Sequence, residues 1–182
     1  NLLLLMAGRI GQKTSFNKLK NILNLSLDTV KEYIYYLELS FILVPIKKFS
    51  YSINEQIYTA HKYYFLDNGV RNALVGFKNI GSLAENLLAI YLMRKFKEVE
   101  YHQEKKEIDF IVKSKSKIVP IESKYDDQIS EEDIQPILGF MKEKRLNRGY
   151  VISKNIDKEM LKGKKRIKVI PLWKLLIGKA SI

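Results

Sequence analysis

The sequence predicts a mixed α/β protein in two parts, and three observations carry the prediction. Apolar residues recur every three or four positions in 14–39, 81–96 and 131–145, but alternate or run continuously in 98–103, 107–113 and 117–125. After residue 81 these segments follow the order helix, three strands, helix, strand, which suits a mixed sheet flanked by helices. With 182 residues and 46% hydrophobic content, the chain is too apolar for disorder and long enough for one ample core or two small ones.

The first part, residues 1–58, reads as helices followed by a hairpin. TSFNKLKNIL (14–23) places Phe16, Leu19, Ile22 and Leu23 on one face. NLSL turns the chain, with Ser26 or Asp28 placed to cap the next helix. DTVKEYIYYLELS continues with Val30, Tyr33, Ile34 and Leu37 on one side, and FILVPIKKFSYSIN reads as two short strands around a basic turn at Lys47 and Lys48. Helix, turn, helix and β-wing make a winged helix. On DNA, its second helix would present Thr29, Lys31, Glu32 and Tyr35 to the groove, and the wing would bring Lys47 and Lys48 to phosphate. The same module also serves for protein docking, and the residues leave both uses open.

Residues 59–80 join the parts through a strand, HKYYFLD, and a short helix, NGVRNALVG, closed by Gly76. His61 opens the strand and takes no functional role. In 81–182, GSLAENLLAIYLMRKF is a helix with Leu83, Leu87, Leu88, Tyr91 and Leu92 on a broad apolar face. The three strands follow, the last two joined by a turn in KSKSK. EEDIQPILGFMKEKR forms the crossover helix, GYVISK a buried strand, and RIKVIPLWKLL a strand leading into a helix, with Trp173 assigned to the core.

Composition narrows the chemistry. Cysteine is absent and there are only two histidines, His61 and His102, so a metal would be held by carboxylates, which suits Mg²⁺ or Mn²⁺, with no cofactor bound through Cys or His. NLLLLMAG is too short to span a bilayer and lacks the basic start of a signal peptide, so the expected location is cytoplasmic, without membrane association. Net charge is +12, and residues 141–182 hold 13 basic against 3 acidic residues, while 81–140 hold 9 against 12. Basic flanks suit a polyanion and an acidic segment suits a cation.

That acidic segment contains EIDFIVKSKSKIVPIESKY (107–125), where Asp109, Glu122 and Lys124 interrupt apolar strands. Charges on buried strands need partners. Glu122 and Lys124 share a face by strand alternation, and an adjacent antiparallel strand can set Asp109 beside them. Two neighbouring carboxylates repel unless a cation lies between them. Glu85 is a fourth candidate, reaching from the helix, or else it closes the capping box Ser82-Leu-Ala-Glu85.

Glu85, Asp109 in EIDF, and Glu122 with Lys124 in IESK resemble the PD-(D/E)XK nuclease superfamily. Ser123 stands where a bulky aliphatic residue is usual, and Ile108 where a proline often precedes the aspartate. Pro120, two residues before Glu122, removes a ladder donor. Taken together, the winged helix, KYYFLDNGVRNAL, GSLAEN, EIDFIV and PIESKY resemble the C-terminal region of a prokaryotic AAA+-type ATPase family. The resemblance implies a restriction-endonuclease-like domain with a central mixed sheet at 81–182. It also implies metal-site carboxylates Glu85, Asp109 and Glu122, Lys124 as catalytic lysine, DNA as partner, and a P-loop ATPase domain in cis before residue 1. The chain itself has no P-loop motif. An inherited nuclease fold without activity is the alternative that the resemblance leaves open.

Overall fold

The computed structural model describes residues 1–104, 106–114 and 117–182, with only the backbone of Ser114. The turn expected in KSKSK falls partly on Lys115 and Ser116, which lie outside the described residues. The chain divides into two compact units, Asn1–Asn86 and Leu87–Ile182.

In the first unit, α1 (Leu2–Ala7) and β1 (Lys13–Thr14) precede α2 (Phe16–Leu23) and α3 (Leu27–Leu39). Ser15 and Ser26 start the latter two by accepting the amides of Lys18 and Thr29. The left-handed Asn24 turns the chain between them. Leu19, Val30 and Ile34 pack with Met6, Leu43 and Phe65. Each such side chain contributes about 1.5–3 kcal/mol of burial.

The hairpin differs from expectation. Lys47 and Lys48 lie within β2 (Leu43–Lys48), not at a turn. The chain then forms α4 (Ile53–Tyr58), because Ser52 caps the Glu55 amide and Glu55 in turn takes up Lys48 and Ser50. The partner of β2 is β3 (His61–Phe65), antiparallel from Leu43–Phe65 to Ile46–Lys62, and β1 pairs with the other edge of β3. After β3 comes α5 (Asn68–Val75), closed at Gly76.

The next helix, α6 (Ile80–Lys95), contains the division between the units. Within the first unit its Asn86 side chain accepts the Phe65 amide at 2.8 Å and donates to the Phe65 carbonyl at 2.7 Å. It thereby pairs with β3 as a neighbouring strand would. Arg71 on α5 is buried, and its guanidinium donates to the carbonyls of Ala7, Gly76 and Lys78. Those bonds offset the cost of burying a cation.

The second unit is built on a six-stranded run ordered β4-β5-β6-β7-β9-β8. Its strands are β4 (Val99–Gln103), β5 (Glu107–Ser114), β6 (Lys117–Lys124), β7 (Arg148–Ser153), β8 (Lys158–Lys162) and β9 (Lys165–Pro171). The first three form an antiparallel meander. Helix α7 (Glu131–Glu143) carries the chain to β7, parallel to β6, and β9 is parallel to β7. On one sheet face Ile134, Ile137 and Met141 of α7 cover Val151, Ile167 and Val169. Gly149 permits the close approach, since a Cβ there would lie 2.6 Å from Ile137 Cγ2.

In the basic stretch LKGKKR, β8 and β9 form a hairpin through Gly163 at φ +61°. One expectation for this unit is corrected. Trp173, on α8 (Leu172–Leu176), is 44% exposed and not a core residue, because Leu172 and Leu175 take the inward face of that short helix. Among the described residues, no helix is long and apolar enough to cross a membrane.

Candidate functional site

Asp109 sits at an irregularity in the meander. Glu100 pairs with Ile111 and His102 pairs with Ile108, so Tyr101 alone stands opposite both Asp109 and Phe110. Such a two-against-one β-bulge bends the strand and re-aims a side chain. On the other edge of β5 the register remains regular, and one step beyond the Phe110–Ile121 pair it sets Asp109 across from Glu122.

The two residues are cross-bonded through side chains. Asp109 Oδ2 accepts the Ser123 amide at 3.0 Å, and the Asp109 amide reaches Glu122 Oε2 at 3.4 Å. Both are half-buried. The Ser123 bond fixes the Asp109 carboxylate against the β6 backbone, and the longer bond draws the Glu122 carboxylate across to β5. Two oxygen-bearing acids held side by side on rigid strands form a donor set suited to a hard divalent cation.

Lys124 ends β6, and its ammonium lies 2.8 Å from Asp133 Oδ1 on the first turn of α7. The hydrogen bond to Asp133 is the main cause that raises the Lys124 pKa. Burial opposes it as the next largest influence, and the charges of Asp133, Glu122 and Asp109 act in the same direction as the bond. The lysine therefore stays protonated at neutral pH and feels both carboxylates of the bulge. Burial alone would raise the Asp133 carboxyl, but the bonds from Lys124 and Ser130 outweigh it and lower the pKa from 3.8 to about 2. Ser130 and Asp133 also cap each other reciprocally at the start of α7.

Glu85 is placed differently from the capping-box expectation. Helix α6 begins at Ile80, after the left-handed Asn79, so Ser82 lies inside the helix and is not its cap. Within its own unit, Glu85 Oε1 accepts the Tyr64 hydroxyl at 2.7 Å and lies 3.8 Å from Nζ of the buried Lys62. It also abuts Gly11, where a Cβ would come within 2.5 Å of the same oxygen.

The residues expected to meet DNA in the first unit are dispersed in environment. Lys31, Glu32 and Tyr35 are exposed on α3, whereas Thr29 is half-buried and its hydroxyl pairs with Ser26 at 2.8 Å. Lys47 is exposed in β2, and Lys48 is held by Glu55. Sequence reasoning missed Asp133, although the spacing Ser130-x-x-Asp133 ahead of an apolar run is a readable cap signal. It also missed a second group of possible donors, His102, Glu104 and Glu143, whose ligand atoms lie within 4.8 Å of one another. There the His102 ring lies 4.6 Å from the Phe140 ring, tilted by 58°, and Glu143 is paired with Lys144 at 2.7 Å.

Residues 80–175 match the family described as "Domain of unknown function (DUF4143)", and residues 1–81 match the one described as "Domain of unknown function (DUF8612)". The junction of the two matches lies near the division between the compact units. An "Uncharacterized protein" of Haemophilus influenzae (strain ATCC 51907 / DSM 11121 / KW20 / Rd) is 28% identical over 130 residues. That alignment covers 67% of this chain and 32% of the relative, so the chain spans about a third of that protein's length.

Proposed function

The chain belongs to the DUF4143 family, and from that premise we propose that it is the C-terminal, DNA-interacting region of an AAA+-type ATPase. In this reading it carries a Mg²⁺-dependent nuclease-like site that cleaves DNA phosphodiesters. The observation that carries the reading is the cross-bonded pair Asp109 and Glu122 at a β-bulge, with the charge of Lys124 acting on both.

Asp109 and Glu122 would hold the cation. When bound there, Mg²⁺ or Mn²⁺ supplies Lewis acidity toward a phosphate oxygen and makes bound water more acidic. Asp109 brings a carboxylate whose orientation is already fixed by the Ser123 amide. Lys124, kept protonated, offsets negative charge gathering on the phosphate as water attacks phosphorus. Asp133 is the positioning residue for Lys124. The DNA-binding part of the reading draws on the helix pair α2 and α3 with the strands β1 to β3 of the first unit, an arrangement compatible with a winged helix. The ATPase would occupy chain of the kind that the longer Haemophilus relative has beyond the aligned region.

The test is cleavage of single-stranded, duplex and branched DNA by purified protein with Mn²⁺ or Mg²⁺. The reading expects metal-dependent cleavage that falls about 10²-fold or more in Asp109→Ala and in Lys124→Ala. Intact substrate under every condition, or cleavage unchanged in both variants, overturns it. One observation favours a non-catalytic docking or DNA-binding module that regulates the ATPase: Lys124 is already engaged by Asp133. That reading expects DNA affinity in the Asp109→Ala, Lys124→Ala double variant to equal wild type, without cleavage by either.

A further inference from the structure

At the other end of β6 and β7 from Glu122 and Lys124 lies a groove of about 700 Å³, where the C-terminus of α7 meets the starts of both strands. Four of its lining side chains are cationic, Lys117, Lys144, Arg145 and Arg148, and no acidic side chain lines it among the described residues. Lys144 is occupied by Glu143 at 2.7 Å. Lys117, Arg145 and Arg148 are exposed, and none of the three forms an ion pair among the described residues.

Exposed cations at a helix C-terminus are ordinary, because they complement the helix dipole. Two features here exceed that explanation. Arg145 adopts φ +54° just after α7, in the turn closed by the Leu146 amide on the Met141 carbonyl at 2.8 Å. Glycine or asparagine usually holds this left-handed position, and the Cβ of any other side chain is strained there. Arg148 also starts β7 directly beside Arg166 of β9, a like-charge neighbour that pairing alone disfavours. Strain and repulsion both fall where positive charge concentrates on one concavity.

We infer that this groove docks the phosphodiester backbone of a nucleic acid, with Lys117, Arg145 and Arg148 as its phosphate contacts. A linear polyanion fits better than a membrane surface, because the cations line a concavity whose floor includes Phe96, Ile118 and Leu146. The groove adjoins a second cavity of about 280 Å³ that shares Arg148, Tyr150 and Ile182 and adds Arg166 and Lys168, so the positive charge continues across the starts of β7 and β9. Arg166 is partly offset there by Glu159 at 2.7 Å. Lys117 precedes Glu122 by five residues of extended strand, roughly 17 Å, or about five base-pair rises of duplex. The groove and the bulge site therefore stand at opposite ends of β6. The inference rests on the DNA-interacting half of the proposed function and not on catalysis.

The experiment is fluorescence anisotropy with labelled single-stranded and duplex oligonucleotides, in EDTA so that cleavage plays no part, between 50 and 200 mM salt. The variant K117E/R145E/R148E is compared with K158E/K164E/K179E, an equal charge change at exposed lysines of the same unit that line neither cavity. The groove variant is expected to bind about tenfold more weakly than that control at the lowest salt, and to lower the salt slope by about 2–3. Equal weakening in the two variants overturns the inference, as does displacement of the oligonucleotide by phosphatidylserine vesicles as readily as by unlabelled DNA. Arg145→Gly separates binding from folding: it should raise the melting temperature by relieving the left-handed backbone, yet weaken binding. A higher melting temperature with unchanged affinity counts against the inference. Wild-type binding without any metal-dependent cleavage would sink the catalytic reading and leave this one intact.

Discussion

Nζ of Lys124 lies 2.8 Å from Oδ1 of Asp133, which ties the last residue of β6 to the first turn of α7. The same carboxylate accepts the Ser130 amide and hydroxyl, both at 2.8 Å. One aspartate therefore starts the crossover helix and orients the lysine of the candidate site.

This bond has a pH signature. The folded pKa of Asp133 is lowered to about 2 from 3.8, so its contribution to stability is complete above the unfolded value and is lost as pH falls from about 4 to about 2. Asp133→Asn should flatten that part of the acid denaturation curve. At neutral pH it should cost about 1–2 kcal/mol through loss of the cap and the ion pair. Thermal melts of both proteins from pH 2 to 7 measure it. Parallel acid limbs would show that the pairing does not hold in solution.

Asn86 should be among the most sensitive positions in the first unit. Its side chain is fully buried and meets both the amide and the carbonyl of Phe65. Asn86→Ala leaves those β3 groups without the bonds they have now, at a cost of about 3 kcal/mol or more. Asn86→Asp keeps the acceptor but sets a buried carboxylate oxygen against the Phe65 carbonyl and Asn68 Oδ1, so it should destabilise at least as much as alanine. Urea unfolding gives the order, and an alanine variant as stable as wild type would refute the strand-like role.

Gly11 is held at φ +71°, with Glu85 Oε1 where a Cβ would sit. Gly11→Ala should cost about 1–2 kcal/mol from backbone alone, and more if Glu85 loses the Tyr64 hydroxyl. In the double variant Gly11→Ala, Glu85→Ala, the steric part should disappear, so the two changes should be less than additive. Strict additivity would mean that the close approach does not operate.

Much of the second unit is legible from hydrophobic period: the meander, α7 and the parallel strands lie within a residue or two of where alternation and helical spacing put them. The adjacency of Asp109 and Glu122 also follows from strand alternation with an antiparallel partner. The bulge does not, because it belongs to the pairing of β4 with β5 and not to either strand's own pattern. Strand β8 has no sequence signal, because KEMLK is mostly exposed and charged, with no apolar face to betray a strand. The wing was misplaced because Ser52 and Glu55 start a helix inside a segment that reads as β. The pairing of GSLAEN with KYYFLD has its reason in three dimensions: Glu85 reaches Tyr64 and Asn86 reaches Phe65, contacts about twenty positions apart that no local spacing announces.

The central claim is that Asp109 and Glu122 form a divalent-cation site, and a crystal soaked in Mn²⁺ tests it most directly through manganese anomalous scattering. The account predicts a peak between the two carboxylates that is absent in Asp109→Ala crystals soaked alike. No peak there, or manganese only at His102, Glu104 and Glu143, would contradict it.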